Sequence, residues 1–292
     1  GKGSRGLAIG GGSKEARGAG GIRRGARVTN ESADILQQIA ERRRRRLAET
    51  EPQDQPVLPP GGRTVESRSK TDSFHAALDA KRGRAIIAEI KMGSPRLGSL
   101  VERIDPRRQA RIYADNGAAA LSVVVEPDFF HGSYELLAAC KEASGLPALA
   151  KDFVVDPRQV EWAAAAGADA VLLIAALLEA DELQRYAESA RKLGMEPLVE
   201  THGAADLDKL AGGDWPLVGV NNRDLRTFEV HFDHSIELVP QLPTAALKVA
   251  ESGIATAADL RRLAAAGFDA FLIGESLLLS ADPARLLGEL LA

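Results

Sequence analysis

Glu89 and Lys91 stand two residues apart at the end of an apolar run, 86–91, so in an extended chain their side chains point to the same side. A carboxylate and an ammonium held side by side are parts of a proton-transfer site. Four further apolar runs end in charged or amide residues, at Lys151-Asp152, Glu200, Asn221-Asn222-Arg223-Asp224 and Glu251-Ser252-Gly253. One polar end can be a strand cap, but five imply a shared site, because a buried charge is costly unless it is paired or used. A second chemistry is suggested by Ser252-Gly253 and Gly274-Glu275-Ser276, where glycine lets backbone N–H groups approach an anion. Ser94-Pro95-Arg96 adds a hydroxyl and a guanidinium of the kind that binds phosphate. Each short motif taken alone also fits an ordinary turn.

Strands must position these ends. Beyond residue 67, short Val-, Ile-, Leu- and Ala-rich runs alternate with amphipathic stretches, as parallel strands covered by crossover helices do. Eight runs occur, at 86–91, 119–125, 148–151, 170–174, 197–200, 217–221, 247–251 and 270–273. A helix-to-strand phrase recurs as Gly117-Ala118-Ala119-Ala120-Leu121, Gly167-Ala168-Asp169-Ala170-Val171 and Gly267-Phe268-Asp269-Ala270-Phe271. In each, glycine can end a helix and small residues lead into the next strand. Eight such units favour closure into an α/β fold of the (β/α)₈ TIM-barrel type, whose strand carboxyl ends surround the active site. A doubly wound sheet is the alternative, but no Gly-x-Gly-x-x-Gly fingerprint follows the first strand. At 292 residues, 45% of them hydrophobic, the chain suits one such domain.

Bulk properties exclude several classes. Lys and Arg total 37 against 41 Asp and Glu, a net charge of -4 that offers no field for nucleic acid. No apolar run approaches the roughly 18 residues of a membrane span. The single cysteine, Cys140, forms no intrachain disulfide and reads as packing on a helix face, and no Cys/His cluster has metal-ligand spacing, which together fit a reducing cytoplasm. Residues 1–30, rich in Gly, Ala and Arg, lack hydrophobic periodicity and read as a disordered tail. Residues 31–67 read as a leading helix, with Ile35, Leu36, Ile39 and Leu47 at helical spacing, followed by a Pro-rich linker; residues 68–292 make the barrel. Arg42 to Arg46 read as a solvated face of that helix. The structure therefore expected is a TIM barrel with an N-terminal helical extension.

At this level of detail the chain resembles the indole-3-glycerol-phosphate synthase family. The matching phrases are Ile87-Ala88-Glu89-Ile90-Lys91 with Ser94-Pro95, Leu121-Ser122-Val123, Phe129-Phe130-His131-Gly132-Ser133-Tyr134 and Lys151-Asp152-Phe153. They continue through Gly167-Ala168-Asp169, Leu172-Leu173-Ile174, Leu198-Val199-Glu200, Asn221-Asn222-Arg223-Asp224-Leu225, Ala250-Glu251-Ser252-Gly253-Ile254 and Leu272-Ile273-Gly274-Glu275-Ser276-Leu277. The order is collinear from about Ile35 to the end.

The resemblance implies closure of the indole ring of 1-(2-carboxyphenylamino)-1-deoxyribulose 5-phosphate, with loss of carbon dioxide and water, in tryptophan biosynthesis. It implies no cofactor and no metal, and a small phosphorylated substrate as the partner; association with other enzymes of that pathway is left open. Lys151 would protonate the ketone oxygen as the ring carbon attacks. Lys91, Glu200 and Glu89 would share the remaining acid and base work, with the protons among them unassigned, and Asn221 would complete the catalytic group. Arg223, Glu251 and Ser252 would contact substrate, Phe130, Phe153 and Leu172 would form a slot for its aromatic ring, and Ser94, Gly253, Gly274 and Glu275 would hold its phosphate. His131 is read as a noncatalytic loop residue. One departure concerns the first loop: family members usually carry Arg-x-Ser-Pro-Ser after the lysine, whereas this chain has Met92-Gly93-Ser94-Pro95-Arg96, which puts the second serine contact in doubt. A phosphoribosylanthranilate isomerase-like enzyme and a noncatalytic protein of the same fold are the competing readings.

Overall fold

The computed structural model describes residues 35–50, 73–224 and 229–292. Eight parallel strands close into a barrel: β1 (Ala85–Ile90), β2 (Ala120–Val124), β3 (Ala148–Lys151), β4 (Ala170–Ile174), β5 (Glu196–Thr201), β6 (Leu217–Asn221), β7 (Leu247–Glu251) and β8 (Ala270–Ile273), with β8 pairing back to β1. The strands are buried on both faces, which is why they read as continuous apolar runs. The eight expected runs are these eight strands, with ends differing by a residue or so; Lys91, for instance, falls just past β1.

Helices begin where the chain supplies an N-cap. Asp105, Ser133, Asp156 and Thr256 each accept a backbone N–H in the first turn of α3 (Pro106–Asp115), α4 (Tyr134–Ser144), α5 (Pro157–Ala165) and α9 (Ala257–Ala265). Between them lie α6 (Ala180–Lys192), α7 (Ala204–Asp208) and α8 (Phe232–Leu238), and α10 (Glu275–Leu279) and α11 (Pro283–Leu291) end the chain. The recurring glycines Gly117, Gly167 and Gly267 all have positive φ, 91°, 86° and 107°, which a side chain would resist. The aspartates of the same phrase tie down the opposite end of the barrel from the site. Asp169 accepts the N–H of Ala148 at 2.9 Å, and Asp269 that of Lys248 at 2.9 Å, each at the start of a strand.

Among the described residues, two helices precede the barrel. In α2 (Phe74–Asp79), Phe74 and Leu78 are buried and the His75 N–H donates to Glu196 at the start of β5. In α1 (Ile35–Glu49), Leu36, Ile39, Ala40, Arg43 and Leu47 form the buried stripe, and α1 belongs to the same compact unit as the barrel. Burying each of its three large aliphatic side chains contributes roughly 1.5–3 kcal/mol. The tail expected at 1–30 and the Pro-rich part of the linker lie outside the described residues.

Here the arginine run departs from expectation. Arg44 and Arg45 are exposed, but Arg43 is only 3% exposed and its Nη2 donates to Asp152 Oδ2 at 2.7 Å. The reason is spacing: 36, 40, 43 and 47 fall on one helix face, so the middle arginine points inward with the aliphatic residues. Arg42 and Arg46 meet Asp128 from the rim. Among the described residues no helix is long and apolar enough to cross a membrane. Cys140 is fully buried in α4, and burial pushes its thiol up to about 12.

Candidate active site

The strand carboxyl ends, the loops after them and α1 enclose a cavity of about 380 Å³. Fourteen of the expected site residues line it: Glu89, Lys91, Ser94, Phe130, Lys151, Phe153, Leu172, Glu200, Asn221, Arg223, Ser252, Gly253, Gly274 and Glu275. Ile35, Leu36 and Ile39 of α1 complete the lining. The leading helix is thus a wall of the cavity, a role its sequence did not announce.

At the floor, five charged groups interlock. Lys151 Nζ donates to Glu251 Oε2 at 2.7 Å and to Glu200 Oε2 at 3.5 Å, while Lys91 Nζ donates to Glu89 Oε1 at 2.8 Å. Burial opposes the Lys151 ammonium, but Glu251, Glu200 and Glu89 outweigh it and hold its pKa above the ordinary lysine value. Burial likewise opposes the Glu89 charge, and Lys91 and Lys151 nevertheless keep its pKa below the usual range. Glu200 is also held low against burial, by Lys151, His202 and the Asn221 amide, which donates to Oε1 at 3.2 Å. Asn221 Oδ1 in turn accepts the Arg223 N–H at 3.0 Å, so one amide orients both neighbours. The arrangement can donate a proton from a fixed ammonium and accept one at an ionised carboxylate.

Glu251 is placed differently from the substrate contact expected of it. It is fully buried beneath the cavity, does not line it, and presents one oxygen to Lys151. Room for it comes from Gly219 on β6, where an added Cβ would stand 2.2 Å from Glu251 Oε1. Burial, with Glu200 adding to it and Lys151 opposing, pushes its pKa up to about 7.

The aromatic slot is built by two loops and one strand. Phe130 and Phe153 stack with centroids 5.8 Å apart, and Leu172 projects from β4. Each loop is held by a buried carboxylate. Glu126 accepts the N–H groups of Asp128, Phe129 and Phe130 at 2.9, 2.7 and 3.1 Å. Asp152 accepts the Phe153 N–H at 2.9 Å through Oδ1, while Oδ2 receives Arg43, Tyr134 and Gln159. Sequence reading missed Asp152, Glu126, Tyr134 and Gln159 as supports: Asp152 is joined to Arg43 across 109 residues, whereas Glu126 folds back on three residues of its own loop. His131 is exposed, takes φ 53°, and lies against Gly93, outside the lining.

On the other side of the mouth, Arg96 and Arg223 both meet Glu275. Burial, and after it the nearby Arg96 guanidinium, lower the pKa of Arg223. Guanidiniums at this rim are groups able to hold a phosphate through charge-assisted hydrogen bonds. Ser94 accepts the Leu97 N–H within its own turn. Ser252 and Gly253 have successive positive φ values of 68° and 80°, the first at a non-glycine residue, and Asn222 secures the bend by donating to the carbonyls of Glu251 and Ser252. Gly274 lines the cavity, and a Cβ there would meet Glu89 Oε1 at 2.5 Å, so its smallness also makes room for the carboxylate. A further residue outside the sequence reading is His202, whose Nε2 lies 3.3 Å from Glu200 Oε1. Its signal was its position two residues past Glu200, just beyond the end of β5.

Solved structures of similar fold include 3-hexulose-6-phosphate synthase from Salmonella typhimurium, with TM-score 0.56 and 17% identity over 71% of this chain and 98% of that one. The tryptophan synthase alpha-subunit from Pyrococcus furiosus gives 0.54 and 14% over 72% and 98%. At these identities they speak for the barrel alone. Among curated relatives, indole-3-glycerol phosphate synthase of Carboxydothermus hydrogenoformans is 46% identical over 73% of this chain and 81% of its own. That of Albidiferax ferrireducens is 44% identical over 78% and 88%. The family model for indole-3-glycerol phosphate synthase matches residues 36–290, a span that takes in α1 and every cavity residue from Leu36 onward. The chain belongs to the indole-3-glycerol phosphate synthase family.

Proposed function

We propose that the protein is a carboxy-lyase that closes the indole ring of 1-(2-carboxyphenylamino)-1-deoxyribulose 5-phosphate in the cytoplasm. The observation that carries this reading is Lys151, an ammonium kept protonated by surrounding carboxylates at the edge of an aromatic slot. Attack of the carboxyl-bearing ring carbon on the ketone forms the new C–C bond, and the ketone oxygen takes a proton from Lys151. Carbon dioxide then leaves, and its bonding electrons restore the aromatic ring. Loss of the remaining hydroxyl as water takes a proton from a second acid, and a base removes one from the methylene carbon beside the nitrogen. Lys91, held by Glu89, serves as that acid, and Glu200 as the base, because Glu89 is already engaged at 2.8 Å by Lys91. Two protons enter and one is taken up, so one net proton is consumed, matching conversion of a carboxylate to carbon dioxide.

Phe130, Phe153 and Leu172 sandwich the anilino ring, and α1 excludes water above it. Arg96 and Arg223, with the backbone at Ser252, Gly253 and Gly274, hold the phosphate; Arg96 supplies by charge what the family's second serine supplies by its hydroxyl. The test is incubation of the purified protein with this substrate, following the absorbance or fluorescence of the indole product. Formation of that product, abolished in Lys151→Met, is expected; turnover of a phosphoribosylanthranilate instead refutes the reading.

A further inference from the structure

Lys151 meets Glu200 at Oε2, whereas Oε1 faces the Asn221 amide and the imidazole of His202. His202 follows the last residue of β5, and its Nδ1 faces Asp206 Oδ2 at 3.8 Å. The same aspartate oxygen accepts the His202 backbone N–H at 2.8 Å, which fixes Asp206 in the first turn of α7. His202 therefore stands between Asp206 on that turn and Glu200 at the cavity, one ring nitrogen toward each. Both imidazole nitrogens are enclosed without a well-aligned hydrogen bond, so the ring acts on the two carboxylates mainly through charge. His202 does not line the cavity and can influence substrate only through Glu200.

We propose that His202, braced by Asp206, is a positioning residue that fixes Glu200 Oε1 and keeps the Glu200 carboxyl ionised for proton abstraction. The inference rests on the role proposed for Glu200. Facing the imidazole are Glu200 from β5, Asp206 from α7 and Glu251 from β7. Lys209 acts on Asp206, and the His234 ring meets the His202 carbonyl oxygen at 2.8 Å. Burial disfavours an imidazolium here, yet the three carboxylates outweigh it and raise the pKa of His202 above its ordinary value. An imidazolium 3.3 Å from Oε1 opposes the burial penalty on the Glu200 carboxylate, an effect Asn221 alone, being neutral, cannot match. A histidine serving only as packing would leave the ionisation of Glu200 unchanged when replaced by another side chain that folds.

The experiment is the pH profile of kcat for Glu200→Gln, His202→Gln, His202→Leu and Asp206→Asn, with thermal unfolding of each. Glu200→Gln should lower kcat by about 100-fold or more, the range of a lost general base. Without the imidazolium Glu200 keeps its proton to higher pH, so both His202 variants should move the acid limb upward by about half a pH unit or more. They should lower kcat by about tenfold near neutrality while KM stays within about threefold. Asp206→Asn should move the limb in the same direction by less. Full activity in Glu200→Gln would overturn the role of Glu200 itself. If Glu200→Gln is inactive while the folded His202→Gln keeps the native acid limb, the histidine merely packs and the proposal is overturned.

Discussion

Replacing Arg43 by methionine tests how α1 is joined to the barrel. The native guanidinium and the Asp152 carboxylate are 3% and 2% exposed, and they meet at 2.7 Å. Methionine fills much of the same volume, so the change removes charge and hydrogen bonding more than packing. Asp152 would retain Tyr134 at 2.9 Å, Gln159 at 2.8 Å and the Phe153 N–H at 2.9 Å, all neutral donors, and would be left as a buried carboxylate without a counter-ion. Breaking a buried pair in this way costs about 3–5 kcal/mol, and the three surviving hydrogen bonds argue for the lower end. A loss of about 3 kcal/mol corresponds to a fall in Tm of roughly 6–12 °C for a domain of this size. The double variant Arg43→Met with Asp152→Asn removes the stranded charge and should recover part of the loss. Arg44→Met, on the exposed face, should stay within about 0.5 kcal/mol of the native protein. Urea unfolding of all four proteins measures these differences. An Arg43→Met protein within about 1 kcal/mol of native, or one no less stable than Arg44→Met, would show that the pair does not anchor α1.

Lys151→Met should reduce ring closure by at least about 100-fold while an unreactive product analogue still binds; a fall of under tenfold in the folded variant would remove Lys151 as the acid. Gly274→Val should lower kcat as well as raise KM, because its Cβ meets Glu89 rather than only the phosphate region; a pure KM effect in steady-state kinetics would contradict that geometry. Gly219→Ala should destabilise the barrel, its methyl competing for the space of the Glu251 carboxylate, and pairing it with Glu251→Ala should relieve the strain in a denaturation cycle. Glu251 carries a pKa raised to about 7, so the folded state binds its proton more tightly than the unfolded chain does. The stability this contributes is present below the ordinary glutamate pKa and lost as pH rises through about 7, and Glu251→Gln should flatten the decline between pH 5 and 8.

What was legible in the sequence depends on the range of the interaction that decides it. Strand runs and their polar ends are local features: two-residue periodicity puts Glu89 and Lys91 on one side, and closure of eight units brings their ends together wherever the helices lie. The loop glycines were legible as places of close approach, but not what approaches. At Gly253 the neighbour is Val230 and at Gly274 it is Glu89, each contributed by a distant segment. The same limit hid the supports of the slot. Asp152 was visible only as the neighbour of Lys151, whereas its function is set by Arg43, Tyr134 and Gln159 on three helices. Arg43 was the nearer miss, because the helical spacing of Leu36, Ala40 and Leu47 already put it on the buried stripe. Five arginines in a row invite a solvated reading, and composition prevailed over period. A charge on an apolar stripe has to find a counter-charge when the helix docks, and the carboxylate available to it follows Lys151. The helix that walls the cavity is therefore tied, through Asp152, to the end of the strand that carries Lys151, and the carboxylate that receives Arg43 also holds the Phe153 N–H.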